Sequence, residues 1–129
     1  MRIGFTGTQQ GMSAKQYGSI EHELRKYSGE FHHGDCIGAD AEAAAIARSL
    51  GYWIVGHPPT NESKRAFFPS DYVWEAQPYL VRNHDIVDVC DLVIAAPREK
   101  KEVLRSGTWA TIRYTRKVKL GHQLVLIVP

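Results

Sequence analysis

Four short stretches of the chain carry residue types suited to chemistry. The first is Gly34-Asp35-Cys36-Ile37-Gly38-Ala39-Asp40, directly ahead of an alanine-rich segment. Its glycines let backbone come close to a ligand and reach positive φ. Asp35 and Asp40 offer acceptors suited to ribose hydroxyls or the polar edge of a base. The alternative is that both stand at a helix start, where a carboxylate favours the positive end of the dipole. The second stretch is Ser106-Gly107-Thr108-Trp109. Free N–H groups at a helix start attract an anion such as phosphate, and two hydroxyls add donors; an ordinary cap is the alternative. Gly7-Thr8 is the third stretch, at the end of an apolar run. The fourth is Arg82-Asn83, whose guanidinium can pair bidentately with a phosphate or simply lie on the surface.

Other chemistries lack their residues. His57, His84 and His122 are scattered, and Cys36 and Cys90 stand far apart without Cys-x-x-Cys spacing. No metal and no cofactor is therefore expected. Gly-x-Ser-x-Gly, Gly-x-x-x-x-Gly-Lys and Gly-x-Gly-x-x-Gly are all missing.

Positioning these stretches requires strands that end at them. Arg2–Thr6 reads as a short buried strand. Ser13 and Gln16 form a capping box opening a helix whose apolar stripe is Tyr17, Ile20, Leu24 and Tyr27. Glu30–His33 is a weak second strand. Ala39, Ala43, Ile46, Ala47 and Leu50 line one face of a second helix, and small residues there let it lie close to a sheet. Tyr52–Gly56 is a third strand. An irregular, aromatic segment follows from His57 to Gln77, long enough to suggest function or mobility. Gln77-Pro78 opens a helix with Pro at its first position, continued by Leu80, Val81, His84 and Val87. Asp91–Ala96 and Gln123–Val128 are further strands, separated by a helix that begins at Ser106-Gly107-Thr108.

Strands alternating with helices imply crossover connections and a parallel sheet. The expected architecture is a Rossmann-like α/β three-layer sandwich of about five mainly parallel strands, helices on both faces, in one domain spanning residues 1–129. Ligands bind such sheets at the strand C-termini, near the reversal of strand order. Gly7-Thr8, the Gly34–Asp40 loop and the Ser106–Trp109 helix start fall there, and Arg82-Asn83 lies in the helix preceding a strand.

The length of 129 residues suits one compact domain, and 43% apolar residues suffice for a core. A net charge of +2 argues against a nucleic-acid partner held by bulk electrostatics. The basic residues are uneven, however: Arg98, Lys100, Lys101, Arg105, Arg113, Arg116, Lys117 and Lys119 face only Glu99 and Glu102 in their segment. Such a run is a phosphate-facing patch or, more often, a solvated helix face. No signal peptide and no membrane span is read, so a cytoplasmic protein with reduced thiols is expected.

The order of four motifs, strand-Gly-Thr, "HGDCIGAD", "PYLVRNHDIVDVCDLVIAAP" and "SGTWATIRYT" ahead of a final "LVLIVP", resembles the SLOG superfamily. Within it the likeness is to the small YspA/YpsA-related, DUF2493-like branch, distantly related to LOG-type phosphoribohydrolases and to the DNA-processing protein DprA. The resemblance covers nearly the whole chain, and residues 57–77 match least. It implies a Rossmannoid fold that binds nucleotides or nucleotide-derived molecules, and self-association into a homo-oligomer. Gly34, Asp35, Gly38 and Asp40 match the family's glycine-aspartate loop, Arg82 and Asn83 its Arg-Asn pair, Gly107 and Thr108 its phosphate-binding Gly-Thr.

The phosphoribohydrolases carry Pro-Gly-Gly-x-Gly-Thr-x-x-Glu. Here the double glycine is gone and Thr111 stands where their catalytic glutamate would be. Cleaving an N-glycosidic bond needs a carboxylate. The resemblance thus supports ligand binding ahead of hydrolysis, with Asp35, Asp40 or Glu42 as the substitute carboxylate if a hydrolase is meant. Phosphate is expected on the Gly107–Trp109 helix start with help from Arg82, and ribose near Asp35 or Asp40. The base would stack on an aromatic of residues 67–74 or on Trp109. A DNA-associated module using the basic cluster ranks last.

Overall fold

A computed structural model describes all 129 residues. One six-stranded, wholly parallel sheet runs in the order β4-β3-β2-β1-β5-β6. The strands are β1 (Arg2–Gly7), β2 (Glu30–His33), β3 (Trp53–Gly56), β4 (Tyr72–Val73), β5 (Leu92–Ala96) and β6 (Leu124–Leu126). The helices are α1 (Ala14–Leu24), α2 (Ala39–Ser49), α3 (Tyr79–Val89) and α4 (Gly107–Val118). Strand order reverses between β1 and β5, so the crevice of this sheet opens where those two strands end.

Alternation along β1 assigns the layers. Ile3 and Phe5 point to the larger core, where they meet Ile20 and Leu24 of α1 and Ala39, Ala43 and Ala47 of α2. Phe5 and Phe31 are fully enclosed there, each worth roughly 1.5–3 kcal/mol of burial. Gly4 points to the opposite face. A Cβ there would sit 2.9 Å from Ile86 and 3.1 Å from the Cys90 sulfur, so the missing side chain lets α3 press onto the strand. Trp109 and Ile112 of α4 close the same face against Ala95.

The α/β class and the layers agree with the sequence, and three local expectations change. A sixth strand, Tyr72–Val73, lies inside the segment read as irregular. It is two exposed residues on the sheet edge, too short for an alternation pattern, and pairing with Val55 and Gly56 creates it. On α1, Tyr17 is 40% exposed and Gln16 is buried instead. Its Oε1 accepts the Ser13 N–H of the capping box, and its Nε2 donates to Pro97 O (2.7 Å) and Ile127 O (2.9 Å) beyond β5 and β6.

The third change matters most for function. Of the residues that continue α3, Leu80 and Val81 are 59% and 46% exposed and only Val87 is buried, alongside Arg82, Asn83 and Ile86. Pro78 is the N-cap and not the first helical residue. Arg82 faces inward because the N-terminal end of α3 abuts the loops leaving β2 and β3, whose Gly34 and His57 carbonyls accept its N–H groups.

Candidate ligand cleft at the strand C-termini

A polar cleft of about 410 Å³ opens at the reversal of strand order. Gly7, Thr8, Gln9 and Gln10 form one wall, Arg98 and Arg105 with the Ser106–Thr108 turn form the other, and Tyr79 closes the end. A larger groove of about 610 Å³ separates α1 from the β6 edge, and its lining mixes α1 side chains with the chain's last residues. It lacks the backbone amides and glycine turns that converge on the smaller cleft.

The α4 N-terminus supplies the donors. Ser106 is the N-cap; its Oγ accepts the Trp109 N–H (3.2 Å) and its carbonyl the Ala110 N–H (2.9 Å). The amides of Gly107 and Thr108 donate to nothing in the protein. Two amides, the helix dipole and the guanidiniums of Arg98 and Arg105 give the cleft positive character. The one acidic side chain on its wall, Glu99, accepts the Trp109 indole N–H (3.1 Å).

Tight packing of the loops explains several glycines. A Cβ at Gly7 would stand 2.6 Å from that of Ala39, so α2 packs onto the strand end. Gly38 has φ +87°, and a Cβ would lie 2.3 Å from the Gln9 carbonyl oxygen. Ala39 N–H donates to Thr8 O (2.9 Å), which stitches the loops after β1 and β2 together.

The remaining sequence candidates are placed differently from the expectation. Asp35 does not face the cleft. Its Oδ2 pairs with Arg65 Nε (2.8 Å) and its Oδ1 accepts the Phe68 N–H (2.9 Å). Held at φ 54°, a left-handed position that aspartate tolerates, it pins the 65–68 segment against the end of β2. Asp40 accepts the N–H groups of Gly34 (3.0 Å) and Cys36 (3.4 Å) through Oδ2. Burial pushes its carboxyl up to about 6, although Arg82 and those two amides pull the other way. Gly34 is sealed: a Cβ there would meet the Arg82 guanidinium at 2.4 Å.

Arg82 is not a surface arginine waiting for phosphate. It is 2% exposed, and its Nη1 donates to Gly34 O and to His57 O (3.3 Å). Its Nη2 lies 3.5 Å from the Cys36 sulfur. The guanidinium clamps the carbonyls at the ends of β2 and β3. Its Nε and the Nδ2 of Asn83 are buried without a hydrogen-bond partner.

The aromatic expectations are corrected as well. Trp109 is 3% exposed and belongs to the core, so it offers no face to a base. Phe67 and Phe68 lie under Arg65 and Arg48, and Trp74 packs on His57; none of the three lines the cleft. Its aromatic is Tyr79, which the sequence did not single out. Of the basic cluster, Arg98 and Arg105 line the cleft, whereas Arg113 pairs with Glu102 (2.7 Å).

Sequence reasoning also missed a buried histidine chain. His32 Nε2 donates to Glu30 (2.8 Å), which leaves its Nδ1 to accept from His57 Nε2 (2.8 Å). His33 Nδ1 accepts the Asp35 N–H, so its Nε2 donates to Ser70 Oγ (2.9 Å). Burial drives His57 down to about 3 and His33 to about 4. Their position at the inner ends of central strands was the available signal. No group of three or more His, Cys, Asp or Glu side chains is arranged to hold a metal ion, and no helix is long and apolar enough to cross a membrane.

No family model matches the chain, and no curated protein matches it in sequence. Among solved structures, the molybdenum cofactor binding protein from the phototrophic bacterium Rippkaea orientalis superposes with a TM-score of 0.72 at 16% identity, covering 99% of this chain and 76% of that one. The protein TM1055 superposes with a TM-score of 0.65 at 15% identity, covering 91% and 69%. At such identities the likeness is one of fold, and the fold is the Rossmann-like α/β sandwich.

Proposed function

We propose that this protein binds a nucleotide or nucleotide-derived small molecule, with a phosphate of the ligand seated at the start of α4. The observation that carries the reading is the pair of unpartnered amides at Gly107 and Thr108 facing a cleft walled by Arg98 and Arg105. Thr8, Gln9 and Gln10 on the facing wall are the polar contacts for the rest of the ligand. The neighbour that is a molybdenum cofactor binding protein lends support, since it joins this architecture to a small-molecule ligand. Membership of the SLOG superfamily is part of the same reading.

Binding is favoured over N-glycosidic hydrolysis on chemical grounds. Both Asp35 oxygens are engaged inside the protein, and the Thr111 hydroxyl donates to Gly107 O (3.0 Å). None of the carboxylates proposed for catalysis lines the cleft. Self-association through the exposed Leu80 and Val81 of α3 completes the proposal, with sedimentation velocity as its check.

Calorimetric titration with adenosine monophosphate and with inorganic phosphate tests the site. Arg98 and Arg105 are exposed. Replacing both with Ala is expected to weaken phosphate binding by about tenfold or more, through loss of charge-assisted hydrogen bonds, without moving the melting temperature. Absence of any binding, or binding indifferent to the double variant, overturns the assignment.

A further inference from the structure

Tyr79 stands between two spaces. On one side is the open cleft; on the other is a closed chamber of about 10 Å³ lined by Gly34, Cys36, Asp40, Arg82 and Asn83. The chamber has room for one water at most. Two donors on its wall are buried: Arg82 Nε has no acceptor, and Asn83 Nδ2 has none in full hydrogen-bond geometry, the Tyr79 hydroxyl being the group that acts on it. Buried donors short of an acceptor are unfavourable, and two together on one wall point to an acceptor that comes from outside.

Tyr79 lines both the cleft and the chamber, together with Gly7 and Gln9. Its phenol oxygen would lie 2.0 Å from a Cβ on Gly107, so the missing side chain at Gly107 is what admits the ring. The ring face lies against the Arg82 guanidinium, 4.7 Å from centroid to carbon. Tyr79 is the first residue of α3, after the Pro78 N-cap, so no preceding helical turn restricts its χ1. It is 39% exposed, so its ring has open space on the outer side.

We propose that Tyr79 is a gate and the specificity-determining residue of the site. Closed, it keeps the chamber shut. When it swings out, an oxyanion or carbonyl of the ligand reaches Arg82 Nε and Asn83 Nδ2 while the phosphate stays on the α4 amides. The proposal rests on the phosphate-binding reading for its ligand, but the movement of the ring does not. The ligand class it selects is one with two acceptor groups, and a bare phosphate leaves the chamber closed.

Cys36 reports the gate without any ligand. It lines the chamber and also a pocket of about 210 Å³ beside residues 59–64, whose access sets the background rate; it is 6% exposed and remains the single thiol once Cys90 is replaced by Ser. Alkylation by iodoacetamide then tracks the open population. Tyr79→Ala is expected to raise the Cys36 rate by about tenfold or more, with Tyr79→Phe and the neighbouring Leu80→Ala close to wild type. A Tyr79→Ala rate matching Leu80→Ala overturns the gate. Calorimetry tests the chamber: Asn83→Leu, nearly isosteric, is expected to weaken adenosine monophosphate by about tenfold and to leave inorganic phosphate unchanged. Equal responses of the two probes overturn the second subsite while the phosphate-binding reading stands. If neither probe binds, that reading fails, and the alkylation rates alone decide for or against the gate.

Discussion

Lowering the pH below 6 is expected to destabilise the fold through the histidines under the cleft. His33 and His57 are neutral in the native protein down to about 4 and about 3, because burial disfavours their charged forms. In the unfolded chain both protonate at 6.5. Between pH 6 and 4 the unfolded state therefore holds two more protons at these positions. Asp40 acts oppositely: burial raises its native value from 3.8 to about 6, so over the same interval the folded state holds one proton more. The net difference is two minus one, a single proton favouring the unfolded state. Each pH unit then removes about 1.4 kcal/mol, or roughly 3 kcal/mol across the two units. His32, also lowered by burial, adds in the same direction. Asp40→Asn deletes the opposing proton, so the slope is expected to double to about 2.7 kcal/mol per unit. Urea denaturation at half-unit steps from pH 7 to 4 measures both slopes. A wild-type stability that is flat or rises on acidification would refute the assignment of neutral buried imidazoles, and an unchanged slope in Asp40→Asn would refute the offset.

Further outcomes follow from the loops. Arg82→Ala leaves the carbonyls of Gly34 and His57 without a donor, at about 1–3 kcal/mol each, and removes the positive partner of Asp40. Its urea midpoint is expected to fall by the equivalent of about 3 kcal/mol or more, and a loss under 1 kcal/mol would show that the clamp is not structural. Gly38→Ala places a Cβ against the Gln9 carbonyl at φ +87° and is expected to lose more than about 1 kcal/mol by the same assay. A neutral effect there would mean that the loops after β1 and β2 can separate freely.

Much of this molecule was legible in residue order alone. The capping box at Ser13 and Gln16, the small-residue face of α2 and the Ser106 helix start are local patterns, and local patterns fix local hydrogen bonds. Alternating strands and helices then required a parallel sheet, and that placed Gly7 and Gly107 beside the same crevice. The direction in which a polar side chain resolves its hydrogen bonds was not legible. Gln16 reads as a cap and also ties β5 to β6, because the carbonyls it satisfies lie 81 and 111 residues away. Arg82 and Asp35 carry the charges of a ligand site, yet tertiary packing brought backbone and Arg65 to them first. Tyr79 has no motif of its own and becomes part of the cleft only because Gly107 leaves room for its ring. Sequence determined which loops meet, since connection and strand order obey chain-wide rules; tertiary structure decided which of their polar atoms remain free, since that depends on partners distant in the chain.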